Sequence, residues 1–144
     1  MRTPADLAKR FRAQGLKVTP QRELLFKLVY GNQTHPTAEV IYAEARQVMP
    51  TMSLKTVYQT LNDLTEMGEL LQLDFGTGSS RFDPNIGDHH HLVCTSCGKV
   101  RDLSATFADL DVPPGDRQGF EVEEAEVVFR GVCAACRSTA VPTS

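Results

Sequence analysis

No stretch of this 144-residue sequence approaches the length of apolar chain that a membrane-spanning helix needs. Nor does an apolar leader follow Met1: Arg2, Asp6 and Lys9 fall where a secretory signal would require hydrophobic residues. The expectation is a chain that stays in the reducing cytosol, where thiols persist. Internal repeats and low-complexity segments are missing. There is no HExxH, and no HxE paired with PCxxC, so the zinc hydrolase and deaminase signatures do not occur. Cysteine is scarce at four residues, and hydrophobic residues make up 41%, enough for the core of one large or two small domains.

All four cysteines fall in two CxxC motifs, Cys94-Thr95-Ser96-Cys97 and Cys133-Ala134-Ala135-Cys136. Each CxxC turn presents two sulfurs from one bend, and two such turns supply the four soft ligands of a closed, tetrahedral structural zinc site. Disulfides are disfavoured by the expected compartment. A thioredoxin-type redox motif would stand at the start of a helix after a strand, and one chain seldom carries two. Just before the first pair lies Asp88-His89-His90-His91. Imidazoles and carboxylates are harder ligands, suited to Fe2+ or Mn2+ bound reversibly with a coordination position left open.

The net charge of -3 conceals a division, because residues 1–62 carry nine Lys/Arg against four Asp/Glu while residues 63–144 carry six against fourteen. A basic first half suits a polyanion, and an acidic second half suits cations or another subunit. The first half reads as four helices. Pro4–Gln14 carries Leu7 and Phe11 and ends at Gly15; Thr19-Pro20 opens a second helix with Leu24, Leu25, Leu28 and Val29, closed by Gly31. A third begins near Pro36-Thr37, with Val40, Ile41, Ala45 and Val48 as its buried stripe, and stops before Pro50. Ser53 caps the fourth, in which Leu54, Val57, Leu61 and Leu64 recur at helical spacing up to Gly68.

On the opposite side of that fourth helix lie Lys55, Thr56, Gln59 and Asn62, the side-chain types that meet phosphates and base edges in a major groove. Tyr58 sits at the edge of the stripe, where partial packing with its hydroxyl toward a DNA backbone is expected. After Gly68 the period changes: 70–75, a Gly76-Thr77-Gly78-Ser79 turn and 80–83 make a β-hairpin. Helices followed by a hairpin are the order of a winged helix-turn-helix. Asp83-Pro84-Asn85-Ile86-Gly87 reads as a hinge, followed by β segments at 91–93, 99–103 and 126–133 and a short helix near Phe107–Leu110. The fold class is α+β: a winged-helix domain at 1–83, a hinge at 84–87 and a small α/β domain at 88–144 stapled by zinc.

The ordered segments HPTAEVIY (35–42), SLKTVYQTL (53–61), SSRFD (79–83), DHHHLVCTSCGKVRDL (88–103) and GVCAAC (131–136) resemble the ferric uptake regulator superfamily of bacterial repressors. The resemblance runs over roughly residues 7–137. It implies a homodimeric, metal-dependent repressor of double-stranded operator DNA, with a winged helix and a dimerisation domain, and no enzymatic activity. It places structural Zn2+ on Cys94, Cys97, Cys133 and Cys136. It also places regulatory Fe2+ or Mn2+ on His35, Asp83, His89, His91 and Asp102. His35, beside a proline, would otherwise read as a turn residue.

Asp at both 83 and 102 resembles the peroxide-responsive branch, in which Fe2+ reacts with peroxide and the imidazoles matching His35 and His89 are oxidised. Iron-uptake repressors more often carry Glu at one or both positions. At an accessory metal site of some relatives, Asp88, His90 and Asp109 could supply part of the ligand set, but Ala125 stands where those relatives place histidine, which argues against a third site and leaves His90 exposed or a weak extra ligand. An iron- or manganese-responsive uptake repressor is the rival reading. A redox-switched zinc chaperone or oxidoreductase is the alternative of another class, and it leaves the winged helix without a purpose.

Overall fold

Three threonines and a serine set where the first four helices begin. The side chains of Thr3, Thr19, Thr37 and Ser53 accept hydrogen bonds from the backbone N–H groups of Asp6, Arg22, Val40 and Thr56, three residues on in each case. Each cap satisfies a donor that the helix itself cannot. The computed structural model describes residues 1–87 and 89–139, which divide into two compact units with the boundary in the chain after Gly87.

The first unit runs α1 (Pro4–Ala13), α2 (Pro20–Val29), α3 (Ala38–Val48), α4 (Leu54–Glu66), β1 (Leu71–Leu73) and β2 (Arg81–Asp83). This is the winged helix-turn-helix order, α3 and α4 forming the helix pair and the antiparallel β1–β2 hairpin the wing. Gly68, at φ 73°, ends α4 in the left-handed conformation that side chains resist. Leu7, Phe11, Leu25, Phe26, Ile41, Val57, Leu61 and Leu64 are all fully buried in one cluster. The Phe11 and Phe26 rings meet edge-on at 4.8 Å between centroids.

Three expected stripe residues are exposed, and Leu24 and Leu28 of α2 are only partly buried. Val40 and Val48 of α3 are 47% and 67% exposed, and Leu54 of α4 is 37% exposed. Val40 falls on the far side of α3 from Ala38, Ile41 and Ala45, while Val48 and Leu54 are terminal residues of their helices. Thr60 is buried on α4 instead, its hydroxyl donating to the Thr56 carbonyl at 2.8 Å. Phe26, which the spacing did not single out, takes a central core position.

Glu69 closes this unit polar side inward. Its carboxylate is buried and accepts from the Arg2 backbone at 2.9 Å and from the guanidinium groups of Arg2 and Arg10. Burial pushes its pKa up, but these donors more than offset that and hold it below the usual carboxylate value. The chain start is thereby fastened to the end of α4.

The second unit is a three-stranded sheet in the order β4-β3-β5, with β3 at His90–Cys94, β4 at Val100–Leu103 and β5 at Val128–Gly131. β3 pairs antiparallel with β4 and parallel with β5. A 3-10 turn follows at Pro114–Asp116, and α5 (Ala134–Thr139) begins inside the second CxxC motif. Phe107–Leu110 is not helical, because Asp109 adopts φ 64° and breaks the right-handed run. Among the described residues, the apolar side chains buried in this unit are Val93, Cys94 and Val100. Three such side chains contribute only about 1.5–3 kcal/mol each, a small core for a unit of this size. No helix among the described residues is long and apolar enough to cross a membrane.

Candidate metal centres

The four cysteines come together from three elements. Cys94 ends β3, Cys97 lies in the β3–β4 turn, and Cys133 and Cys136 flank the start of α5. One sulfur from each lies within 4.8 Å of the other three, and none is in a disulfide. The Cys133 N–H donates to Cys94 Sγ at 3.3 Å. That N–H, followed by the Cys97 N–H, brings the Cys94 thiol down to about 6. Cys133 is likewise lowered, first by the Cys136 N–H, whereas Cys136 is pushed up to about 12, first by its contact with Cys133. Four thiolates in so small a volume repel one another, and a tetrahedral divalent cation offsets that repulsion. The donor set fits Zn2+ and leaves no open position for chemistry.

In the first unit, His35 and Asp83 form a buried pair with His35 Nε2 at 3.1 Å from Asp83 Oδ2. Their meeting follows from backbone pairing. Phe82 N–H donates to the Pro36 carbonyl at 3.0 Å, Arg81 donates to the His35 carbonyl at 3.1 Å, and Thr37 bridges to Arg81. These bonds hold His35 at φ 51°, a left-handed conformation costing about 1–2 kcal/mol in an ordinary residue. Asp83 Oδ1 also accepts from the Asn85 N–H at 2.9 Å.

In the second unit, the register of β3 against β4 sets His91 opposite Asp102. Asp102 Oδ1 lies 2.9 Å from His89 Nε2 and 3.4 Å from His91 Nε2, and the two rings meet at 4.4 Å. Two imidazole nitrogens converging on one carboxylate oxygen is a donor set for Fe2+ or Mn2+. His90, by contrast, points away into structural contacts: its Nδ1 accepts from the Val127 N–H at 2.9 Å, and its ring packs on Phe107. Asp109 stands in a turn, and Asp88 lies outside the described residues.

On α4, Lys55, Tyr58, Gln59 and Asn62 are exposed. Thr56 is half-buried, its hydroxyl 2.8 Å from that of Ser53 in the cap. The Tyr58 hydroxyl donates to Glu39 of α3, which lowers the Glu39 carboxyl and raises the Tyr58 phenol.

Residues 13–137 match the profile of the Ferric uptake regulator family. The chain belongs to that family. Ferric uptake regulator proteins are metal-responsive transcriptional regulators, not enzymes. The chain is 32% identical over 127 residues to the peroxide-responsive repressor PerR of Staphylococcus aureus, covering 88% of this chain and 86% of that one. The solved ferric uptake regulator Fur of Helicobacter pylori shares the fold with a TM-score of 0.71 at 23% identity, over 92% of this chain and 90% of that one. The peroxide stress regulator of Campylobacter jejuni gives 0.62 at 28% identity, over 94% and 100%.

One further residue of this family member escaped the sequence reading. Glu126 Oε1 lies 2.6 Å from His91 Nδ1. Its position within an acidic run just before β5 gave no sign of that contact.

Proposed function

We propose that this chain is a homodimeric repressor that holds operator DNA while its regulatory site is loaded, and that peroxide releases it. Residues 1–83 bind DNA, 84–87 act as a hinge, and 88–144 bind metal and dimerise, in the cytoplasm. The observation that carries the reading is the pairing of imidazole with aspartate in both units: His35 with Asp83, and His89 and His91 with Asp102. Regulatory Fe2+ or Mn2+ is assigned to His35, Asp83, His89, His91 and Asp102. DNA binding and metal binding then favour one another by linkage. Bound Fe2+ supplies the chemistry by which hydrogen peroxide oxidises a neighbouring imidazole, here His35 or His89; Mn2+ does not. Zn2+ on Cys94, Cys97, Cys133 and Cys136 holds the second unit.

Exposed side chains support the remaining partners. Leu92 and Phe129, adjacent in the β3–β5 register and each 45% exposed, leave an apolar sheet surface that a second copy of the chain would cover. Lys55, Gln59 and Asn62 present α4 to the duplex. Lys55→Ala is expected to weaken binding to all sequences alike and to lower the salt slope by about one unit. Gln59→Ala is expected to cost about 1–3 kcal/mol at one operator position. Titrations on matched and altered duplexes check both, and unchanged affinity in both variants would move the recognition surface elsewhere.

The deciding experiment loads the zinc-containing protein with Fe2+ or Mn2+ and measures binding to a selected duplex before and after peroxide. The Fe2+ form is expected to leave the DNA and to gain one oxygen on the peptide containing His35 or His89, while the Mn2+ form stays bound. Release with oxidation confined to the cysteines would replace this reading by a thiol switch. DNA binding that depends on metal but is indifferent to peroxide would favour an iron- or manganese-responsive uptake repressor.

A further inference from the structure

Strand β3 and the segment entering β5 are laced together around one side chain. The His91 N–H donates to the Val127 carbonyl at 3.1 Å, and the Val127 N–H donates back to His90 Nδ1 at 2.9 Å. Val127 is thus fixed from two adjacent residues of β3, and the residue before it, Glu126, is delivered to the edge of the His91 ring. Its Oε1 reaches His91 Nδ1 at 2.6 Å, while Nε2 of the same ring faces Asp102. The His91 side chain is 3% exposed and that of Glu126 is 44% exposed, so Glu126 reaches a buried imidazole from the solvent side.

A neutral imidazole carries one N–H, and a carboxylate can only accept. With Nδ1–H given to Glu126, Nε2 is left as a lone pair directed at an Asp102 oxygen. Lone pair against carboxylate is repulsive, and a cation between them removes the repulsion. Glu126 therefore selects the tautomer that suits metal binding and fixes the ring plane, as an outer-shell acceptor does for ligating histidines generally. We infer that Glu126 is a positioning residue for the regulatory metal, acting through the Nδ1 hydrogen bond of His91 and not as a ligand. The inference rests on the proposed role of His91 as a ligand.

The test compares Glu126→Gln, which keeps an acceptor oxygen without the charge, with Glu126→Leu, which removes it. Both are made in the full-length, zinc-loaded protein, with zinc content and circular dichroism confirming the fold. Mn2+ affinity is read by competition with a metallochromic chelator, and the His91 tautomer by long-range proton–nitrogen NMR before Mn2+ is added. The leucine variant should bind Mn2+ about 10- to 100-fold more weakly and show His91 shifting from the Nδ1–H form. The glutamine variant should keep the tautomer and most of the affinity. Leucine behaving like the unmodified protein, or glutamine losing as much as leucine, would overturn the positioning role. His91→Ala run in parallel separates the two ideas: if Mn2+ uptake ignores that change, the ligand assignment itself fails.

Discussion

Serine at both Cys94 and Cys97 is expected to cost the protein its zinc and, with it, the folded second unit. The apolar core there consists of Val93, Cys94 and Val100 among the described residues, and one of those three is itself a proposed ligand. Structural zinc contributes on the order of 10 kcal/mol in small domains, more than such a core supplies. Cys94 also ends the central strand, and its sulfur accepts from the Cys133 N–H, so the substitution weakens the tie between that strand end and the second CxxC motif. Elemental analysis should find no stoichiometric zinc in the double variant, and circular dichroism should show reduced strand content. Zinc retained at one per chain would refute the four-cysteine assignment.

The second large effect is expected at His91. His91→Ala removes a donor opposite Asp102 and the ring that Glu126 addresses, so metal should no longer raise operator affinity. The loss is that of the coupling itself, about 5- to 150-fold, leaving the variant with Mn2+ no better than the unmodified protein without it. Asp102→Glu should separate reactivity from binding. The longer side chain keeps the charge but carries its oxygens farther from the backbone, so metal-dependent DNA binding should survive while the peroxide response of the Fe2+ form falls. Fluorescence anisotropy on one operator duplex, with and without peroxide, reads both variants. A fully peroxide-responsive Asp102→Glu protein would remove aspartate geometry from the explanation.

The elements most legible in the sequence were those with local causes. Thr19-Pro20, Ser53 and Gly68 are start and stop signals whose physics lies within one turn of helix, and the structure places helix ends at each. The CxxC spacing was informative for the same reason, since each pair of sulfurs is fixed by a single bend. Burial was less legible. Val40 and Val48 are as apolar as Ile41, but which face of α3 is covered depends on α2 and α4, not on α3 alone. Phe26 sits among Leu24, Leu25, Leu28 and Val29, where an almost continuous apolar run hides which members point inward. The pairing of His35 with Asp83 and of Glu126 with His91 was invisible to spacing, because each joins residues far apart through strand register. Only the family resemblance singled out His35, and nothing singled out Glu126.

The unequal reach of β3 toward its two partners has a consequence for how the protein is made. β3 meets β4 through residues 95–99 but meets β5 only after the long connection 104–127. Local closure comes before distant closure, so the β3–β4 hairpin with Cys94 and Cys97 can form while the rest is still being synthesised. Until Cys133 and Cys136 leave the ribosome, the nascent chain carries half a coordination sphere, with two thiols open to oxidation or to a mismatched soft metal. With zinc assigned to these four cysteines, the ion can be fully coordinated only once the chain beyond the 104–127 connection has been made, and a chain stopped before Gly131 should fail to hold it.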